Sequence, residues 1–497
     1  MNTSFTTPSD LKKYEFGLAL RNGLKLILSL VITLGIAFAV RFWMPGFLGP
    51  KSFGVLHFAE GFAVMFFIFA TLGADSYIRK EVAVRPEHAS EFFGFLMILQ
   101  TIITVLLVGL MTLILFMMGK DADVYILVYL FAVGQYFFVT NNKLGAMLQA
   151  QGSVNELAVY STISKVVWGL GIFFGLILWK RLEIVAIVFL VSEAMKLPVL
   201  LRACNRHLGL ALRLDFQAGK AMLVASFPFF LNTLSHTVAS KIDVLMLSGM
   251  TVDQEVGWYG AAANANYMVL LVMPVVAAVV TPMSARIAAH GEHELNHTMR
   301  KMLRLTLIMT VPLALLVALN SRDLILLLFS TEYLPSVDTL VVLASMVPLV
   351  FVSTIMAIQL IQLNKIWKVT VISLVSLAIN PIMNGILILP MYHAIGNGGA
   401  GLAAAIATVV TQFASVVMMF RALKGAALDK QLMLLVARFG LLCGIYIVGH
   451  HFLGRFGYWR GIIEVVLYPA MAIPLGVLPV KELIERGKEF IANRRKR

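Results

Sequence analysis

Apolar residues run along this chain in fourteen long blocks separated by short polar stretches. The blocks fall near 22–40, 54–74, 92–118, 122–140, 156–178, 184–201, 222–250, 257–281, 305–320, 336–360, 369–390, 398–420, 432–453 and 461–479. A helix that crosses a bilayer needs roughly 20 mostly apolar residues, and nearly every block approaches or exceeds that length. The 222–250 block is long enough to be bent. The pattern predicts an all-α polytopic membrane protein with about 14 transmembrane helices.

The polar stretches carry a second pattern. Of the 40 Lys and Arg residues, 28 fall in one set of alternate loops and the two ends, and 8 fall in the other set. Loops with excess Lys and Arg stay on the cytoplasmic side. Both termini are therefore expected in the cytoplasm, with Lys143 counted in a cytoplasmic loop. The segment Met1 to Tyr14 is polar, so the first span is expected to act as its own membrane signal rather than as a cleaved leader. Apolar residues make up 60% of the 497 and charged residues 13%, a balance that one soluble core does not absorb. The net charge of +14 follows from topology and calls for no nucleic acid.

Little in the chain points to catalysis. Cys204 and Cys443, the only cysteines, build neither a disulfide framework nor a metal site. There is no phosphate loop and no His-Glu-x-x-His pattern, and the loops near 202–221 and 282–304 are too short to fold as catalytic domains. The expectation is a non-enzyme without a metal or resident cofactor. After Val480 the residues Leu483, Ile484, Phe490 and Ile491 share one helical face amid charges, so 481–497 reads as a basic amphipathic cytoplasmic tail or a plain topology anchor.

An internal repeat adds organisation. Leu48-Gly49-Pro50-Lys51-Ser52-Phe53-Gly54-Val55 precedes the second span, and Asp253-Gln254-Glu255-Val256-Gly257-Trp258-Tyr259 precedes the eighth. Arg79-Lys80 and Arg286 follow those two spans. Leu148-Gln149-Ala150-Gln151-Gly152 is echoed by Leu360-Ile361-Gln362-Leu363-Asn364. An even number of spans per half produces parallel repeats about an axis along the membrane normal, and transporters often bind cargo between such halves.

These segments resemble the signatures of bacterial polysaccharide exporters and O-antigen-type flippases, within the multidrug/oligosaccharidyl-lipid/polysaccharide exporter superfamily. Leu48 to Gly54 resembles their "LGP-x-x-(Y/F)-G" motif, and Leu72-Gly73-Ala74-Asp75 through Arg79 to Ala83 their glycine-led turn. Phe227-Pro228, Lys241 to Leu247 and Glu255 to Ala262 resemble the middle signature. Thr331-Glu332-Tyr333 and Asn397 to Ala405 resemble the late landmarks. The resemblance runs from about 20 to 420, with its motifs in order. It implies two pseudo-symmetric six-helix halves, 1–215 and 216–425, with helices 13 and 14 (426–480) as an appendage. It also implies that an undecaprenyl-diphosphate-linked oligosaccharide crosses the bacterial inner membrane by alternating access, for lipopolysaccharide O-antigen or similar surface polysaccharide. Partners would be that lipid-linked oligosaccharide, membrane lipids, a polysaccharide polymerase and glycosyltransferases.

A diphosphate and its glycan need a polar, cationic path, and charges at mid-membrane usually face a cavity or a partner. Lys25, Arg41, Lys165 and Lys241 are the cationic candidates. Lys25 and Arg41, near the ends of the first span, equally suit snorkelling to an interface. Lys165 and Lys241 suit a cavity wall or a buried ion pair. Asn232, His236 and Asp243 recur at spacings of four and seven and share a helical face; the first two join the substrate-binding candidates. Asn232, Asn264, Asn266, Asn380 and Asn384 equally suit interhelical glue, a reading that fits Asn380 and Asn384 best. Glu60, Glu193 and Asp243 are candidates for coupling transport to protons or sodium ions. Two other readings remain. One is a multidrug or other small-molecule antiporter, although Gly73-Ala74-Asp75 lacks the Asp-Arg-x-Gly-Arg part of the major-facilitator signature. The other is a non-transporting glycan-assembly partner.

Overall fold

The computed structural model describes the backbone of residues 8–427, 429–453 and 459–477, and the side chains of 32–153, 156–273, 276–277, 279–427, 429–452, 463–464 and 466–477. The chain is all-α, with no strand among the described residues. Two compact units divide at Gly249–Met250. Eleven described stretches are long and apolar enough to cross a membrane. Gly49 interrupts the first of them, α8 and α9 share the predicted eighth crossing, and the 14-residue α16 occupies part of the last.

The first unit holds α1 (Pro8–Thr71), α2 (Ala74–Val84), α3 (His88–Met117), α4 (Ala122–Ala150), α5 (Val154–Trp179), α6 (Glu183–Leu208) and α7 (Phe216–Met250). The helix that starts the chain does not end near residue 40. It continues to Leu48, breaks at Gly49 (φ 75, ψ 165) and restarts at Pro50. Glycine reaches positive φ without a Cβ penalty, and proline suits the first turn of a helix, where its missing N–H costs nothing. The Leu-Gly-Pro motif is therefore a tight corner, and Arg41 lies inside helical backbone. A second corner follows at Leu72 (φ 56) and Gly73 (φ 63). A methyl group at Gly73 would lie 2.4 Å from the Phe230 nitrogen, so α7 passes against this turn.

Helix α4 packs against α1, α2 and α6, while α5 packs against α1 and α6. Close approach requires small residues, as in other membrane helix pairs. A methyl at Gly169 would meet Ile36 Cγ2 at 2.4 Å, and one at Gly175 would meet Ile184 Cγ2 at 2.4 Å. The outward face of α3 leaves Ile102, Val105, Leu106 and Phe116 exposed, as suits a helix whose solvent is lipid. Lys143 is not in a loop. It lies within α4, fully buried, and donates to the Ala70 carbonyl (3.1 Å) and to Gln100 Oε1 (2.5 Å). Its ammonium thus sits at the C-terminal end of α1, where helix carbonyls lack intrahelical partners.

The second unit holds α8 (Asp253–Leu270), α9 (Met273–Ala288), α10 (Glu292–Leu319), α11 (Ser321–Leu328), a 3-10 turn (Thr331–Tyr333), α12 (Ser336–Gln362), α13 (Ile366–Ile395), α14 (Gly399–Ala422), α15 (Lys430–Leu453) and α16 (Trp459–Ala472). The predicted 257–281 span is two helices, because the chain turns at 271–272 and a proline opens α9. Helix α12 is the core element, packed against α8, α9, α10 and α14. Its Leu340, Leu343, Val347, Phe351, Ile355 and Leu360 are buried. Asn384 donates to Asn380 Oδ1 (3.1 Å), and Asn380 to Thr408 Oγ1 (3.4 Å). These two asparagines thus join α13 to α14, in keeping with their reading as glue. Helices α15 and α16 dock on α10 through Leu435, Phe439, Leu442 and Tyr446 against Leu307, Ile308 and Leu315. The tail 481–497 lies outside the described residues.

Candidate functional site

The geometry that brings charges together lies in the first unit. Glu60 is within electrostatic reach of Lys241, Arg41, His57 and Lys165. Lys165 is in reach of Arg41 and Glu60, and Lys241 of Glu60 and Arg41. Three helices supply the group: α1 on both sides of its Gly49 corner, α5 and α7. Arg41 and Glu60 lie about 12 and 16 Å along the helix from Gly49, at ~1.5 Å per residue. By the same rise, Lys165 is about 21 Å from Trp179 and Lys241 about 14 Å from Met250. Each of these positions lies several turns in from its helix end, so the cluster lies well inside the apolar spans.

Local packing aims the side chains. The Lys165 ammonium sits 3.4 Å from the centre of the Trp168 ring, one turn on, a cation–π contact that strengthens where water is scarce. A methyl at Gly61 would lie 3.6 Å from Lys241 Cδ and 3.6 Å from Val244 Cγ1. The Lys241 stem and Val244 thus pack against α1 at Gly61. Nearby, Lys120 donates to the Ser248 carbonyl (2.8 Å) near the end of α7 and lies over the Phe58 ring, holding α7 against α1.

The other sequence candidates divide. Lys25 lies outside the described side chains. Asn232 and His236 are exposed on α7. Asp243, two residues from Lys241, is buried. Glu193 is buried and held: Lys196 donates to its Oε1 (2.9 Å), and Asn141 Nδ2 to its Oε2 (2.9 Å). It remains within electrostatic reach of Lys165. His57 joins the cluster, although its sequence signal was only a polar residue three positions before Glu60. Lys143 was missed as a buried group because one Lys in a polar run looks the same in a loop and in a helix.

In the second unit the motif residues converge on a different task. Glu255 is fully buried, and its carboxylate accepts the Gly398 N–H (2.6 Å) at Oε1 and the Gly401 N–H (3.1 Å) at Oε2. It caps the positive end of α14. Three residues on, Trp258 Nε1 donates to the Glu332 carbonyl (2.9 Å). The Glu255 to Ala262, Thr331 to Tyr333 and Asn397 to Ala405 segments thus form one hydrogen-bonded junction. Among the described residues no three His, Cys, Asp or Glu side chains are placed to hold a metal ion.

A family profile described as "Polysaccharide biosynthesis protein" matches residues 19–288, more than half of the chain. No curated protein sequence matches. Among solved structures, "Lipid II flippase MurJ, inward closed conformation" is similar with a TM-score of 0.67 and 16% identity, over 94% of this chain and 100% of that one. An inward-facing multidrug resistance MATE family transporter of the MOP superfamily follows at TM-score 0.63 and 15% identity, over 81% of this chain and 98% of that one. A Vibrio cholerae MATE transporter gives TM-score 0.55 and 14% identity, over 82% and 98%. The order of motifs, the helical architecture and the family match agree: the chain belongs to the polysaccharide biosynthesis protein family and has the fold of the multidrug/oligosaccharidyl-lipid/polysaccharide exporter superfamily.

Proposed function

We propose that this protein is a flippase that moves an undecaprenyl-diphosphate-linked oligosaccharide from the inner to the outer leaflet of the bacterial inner membrane, by alternating access. The observation that carries this reading is the gathering of Arg41, Lys165 and Lys241 about Glu60. The groups in reach of Lys165 and Glu60, namely Arg41, Lys165, Lys196 and Lys241 with Glu60 and Glu193, carry more cations than carboxylates. This favours a polyanion and repels cationic drugs, which weighs against the multidrug alternative. The diphosphate would engage these side chains, while the polyprenyl tail stays in lipid and costs no desolvation. The loop charges support cytoplasmic termini. The product would feed O-antigen or a related surface polysaccharide, with a polymerase and glycosyltransferases as functional partners. If an ion drives the cycle, Glu60 is the carboxylate best placed to sense cargo and a proton or sodium ion together. Glu193 is already paired, and Asp243 lies deeper in packing.

The test is flipping of a fluorescent polyprenyl-diphosphate oligosaccharide in proteoliposomes, normalised to inserted protein. Lys165→Glu is expected to lower the rate roughly tenfold or more, the loss of about 1.4 kcal/mol of cargo interaction. Unchanged flipping in that variant, or equal transport of a cationic dye by the wild type, would refute the assignment.

A further inference from the structure

We infer that the first unit contains a second polar site, away from the charged cluster, that binds a neutral polyhydroxylated sugar ring. A cavity of about 330 Å³ opens between α2, α4, α5 and α6, within the range of roughly 300–1,000 Å³ typical of small-ligand pockets. Its position beside the Gly73 turn and the end of α4 places it at the opposite end of the helices from the Gly49 corner. On the sidedness proposed above, that is the cytoplasmic end.

Two observations indicate that the cavity is built for a ligand. Asn141 is 2% exposed, and its Nδ2 is used by Glu193, but its Oδ1 has no hydrogen-bond partner. Asp75 Oδ1 is likewise buried and without a hydrogen-bond partner. Both residues line the cavity. Buried acceptors left unmatched are rare in folded proteins and mark a place where a donor is expected. Asn142 and Gln149 also line it, both exposed, so each can present a donor and an acceptor to a ligand.

Charge narrows the ligand class. Arg79 and Lys196 line the same cavity and would repel a metal cation brought to the two acceptors. Asp75, with Glu193 behind Asn141, would repel an inorganic anion brought to the two cations. A largely polar lining gives an apolar ligand nothing. Hydroxyl groups fit every constraint, since each donates one hydrogen bond and accepts others. The ring's donors would satisfy Asp75 and Asn141, and its oxygens would take Arg79, Asn142 and Gln149. The inference rests on the flippase reading for the source of the sugar. There the site would hold the first residues of the glycan while the diphosphate approaches the cluster.

The experiment is saturation-transfer NMR on the full chain in nanodiscs prepared without glycoside detergent, with N-acetylglucosamine as probe and inorganic phosphate as competitor. Wild type is expected to transfer saturation to the sugar, and phosphate is expected not to displace it. Asn142→Ala and Gln149→Ala, whose exposed side chains leave the fold intact by thermal unfolding, are each expected to weaken binding roughly tenfold, as for loss of one polar contact. No transfer to wild type, transfer unchanged in both variants, or displacement by phosphate would each overturn the site. Flipping assayed on the same samples separates the two claims. Transport without sugar binding removes the pocket alone. Sugar binding without transport removes the flippase reading and leaves the pocket as a sugar site.

Discussion

The two units use charge along their apolar helices differently. In the first, Arg41, Glu60, Lys165 and Lys241 gather in mid-helix within reach of one another. In the second, two buried carboxylates, Glu255 in the first turn of α8 and Glu464 within α16, are spent on geometry. Glu255 caps α14, and Glu464 accepts from His450 (2.5 Å) and Asn320 (2.7 Å), tying α15 and α16 to the end of α10. A carboxylate that accepts backbone N–H groups at a helix start offsets its desolvation locally. A cluster with excess positive charge does not, and it retains a potential that a polyanion can answer. The cluster side chains are also only half-buried, whereas Glu255 and Glu464 are fully buried. Under the proposed flippase reading, exposure together with the number and sign of the partners separates a cargo contact from a structural charge.

This contrast can be broken by five substitutions. The largest effect is expected at Glu255→Ala, which strands two backbone donors of α14. Charge-assisted hydrogen bonds contribute about 1.5–3 kcal/mol each, so stability should fall by roughly 3–5 kcal/mol, read as loss of membrane abundance and a lower unfolding midpoint. A well-folded Glu255→Ala protein with impaired transport would place function in the second unit and erase the distinction. Next is Lys143→Met. It sits in the first unit but behaves like a structural charge, because it caps α1 and faces Asp75 and Gln100. A loss of about 2–4 kcal/mol of stability is expected. A stable variant with altered cargo preference would enlarge the cluster instead.

Third, Lys241→Gln is expected to slow flipping roughly tenfold with little change in unfolding midpoint. Combined with Glu60→Gln, it should depart from additivity by about 1 kcal/mol in transport, since coupled neighbours do not add. Strict additivity would show that the two side chains do not share a site. The smallest effect is expected at Arg304→Ala. Arg304 pairs with Asp429 at 3.5 Å, and both are 22% exposed, so its loss should change stability by at most about 1 kcal/mol. A larger loss would mean that α15 depends on this pair rather than on the apolar contacts of Leu435 and Phe439.

Much of the architecture was legible because each crossing announces itself locally. The apolar blocks mark α3, α4, α12 and α14 within a few residues at one or both ends, and Gly49-Pro50 marks the corner that the structure places there. The helix ends extended beyond the blocks, as at α10 and α7, because amphipathic turns continue past the hydrocarbon. The break between α8 and α9 was not legible, since its flanks are as apolar as the interior of any span. Of the site candidates, Arg41, Glu60, Lys165 and Lys241 converge, while Asn232 and His236, chosen by helical spacing, are exposed on α7. Spacing places residues on a common face. It does not say which neighbour that face meets.

The sequence by itself determined the solvent, the secondary structure and the number of crossings to within the broken helices, because hydrophobicity and helix propensity are properties of short segments. It also carried the family motifs. Only the tertiary structure decided what those residues do. Rotation of α5 and α7 about their axes sets whether Lys165 and Lys241 meet Glu60 or lipid. The approach of α8 to α14 turns Glu255 into a cap, and the corner at Gly73 brings Asp75 beside Asn141. These outcomes depend on contacts between residues separated by tens to hundreds of positions, and in lipid such contacts rest on packing and hydrogen bonds rather than on hydrophobicity. A linear pattern of apolar residues therefore carries no record of them.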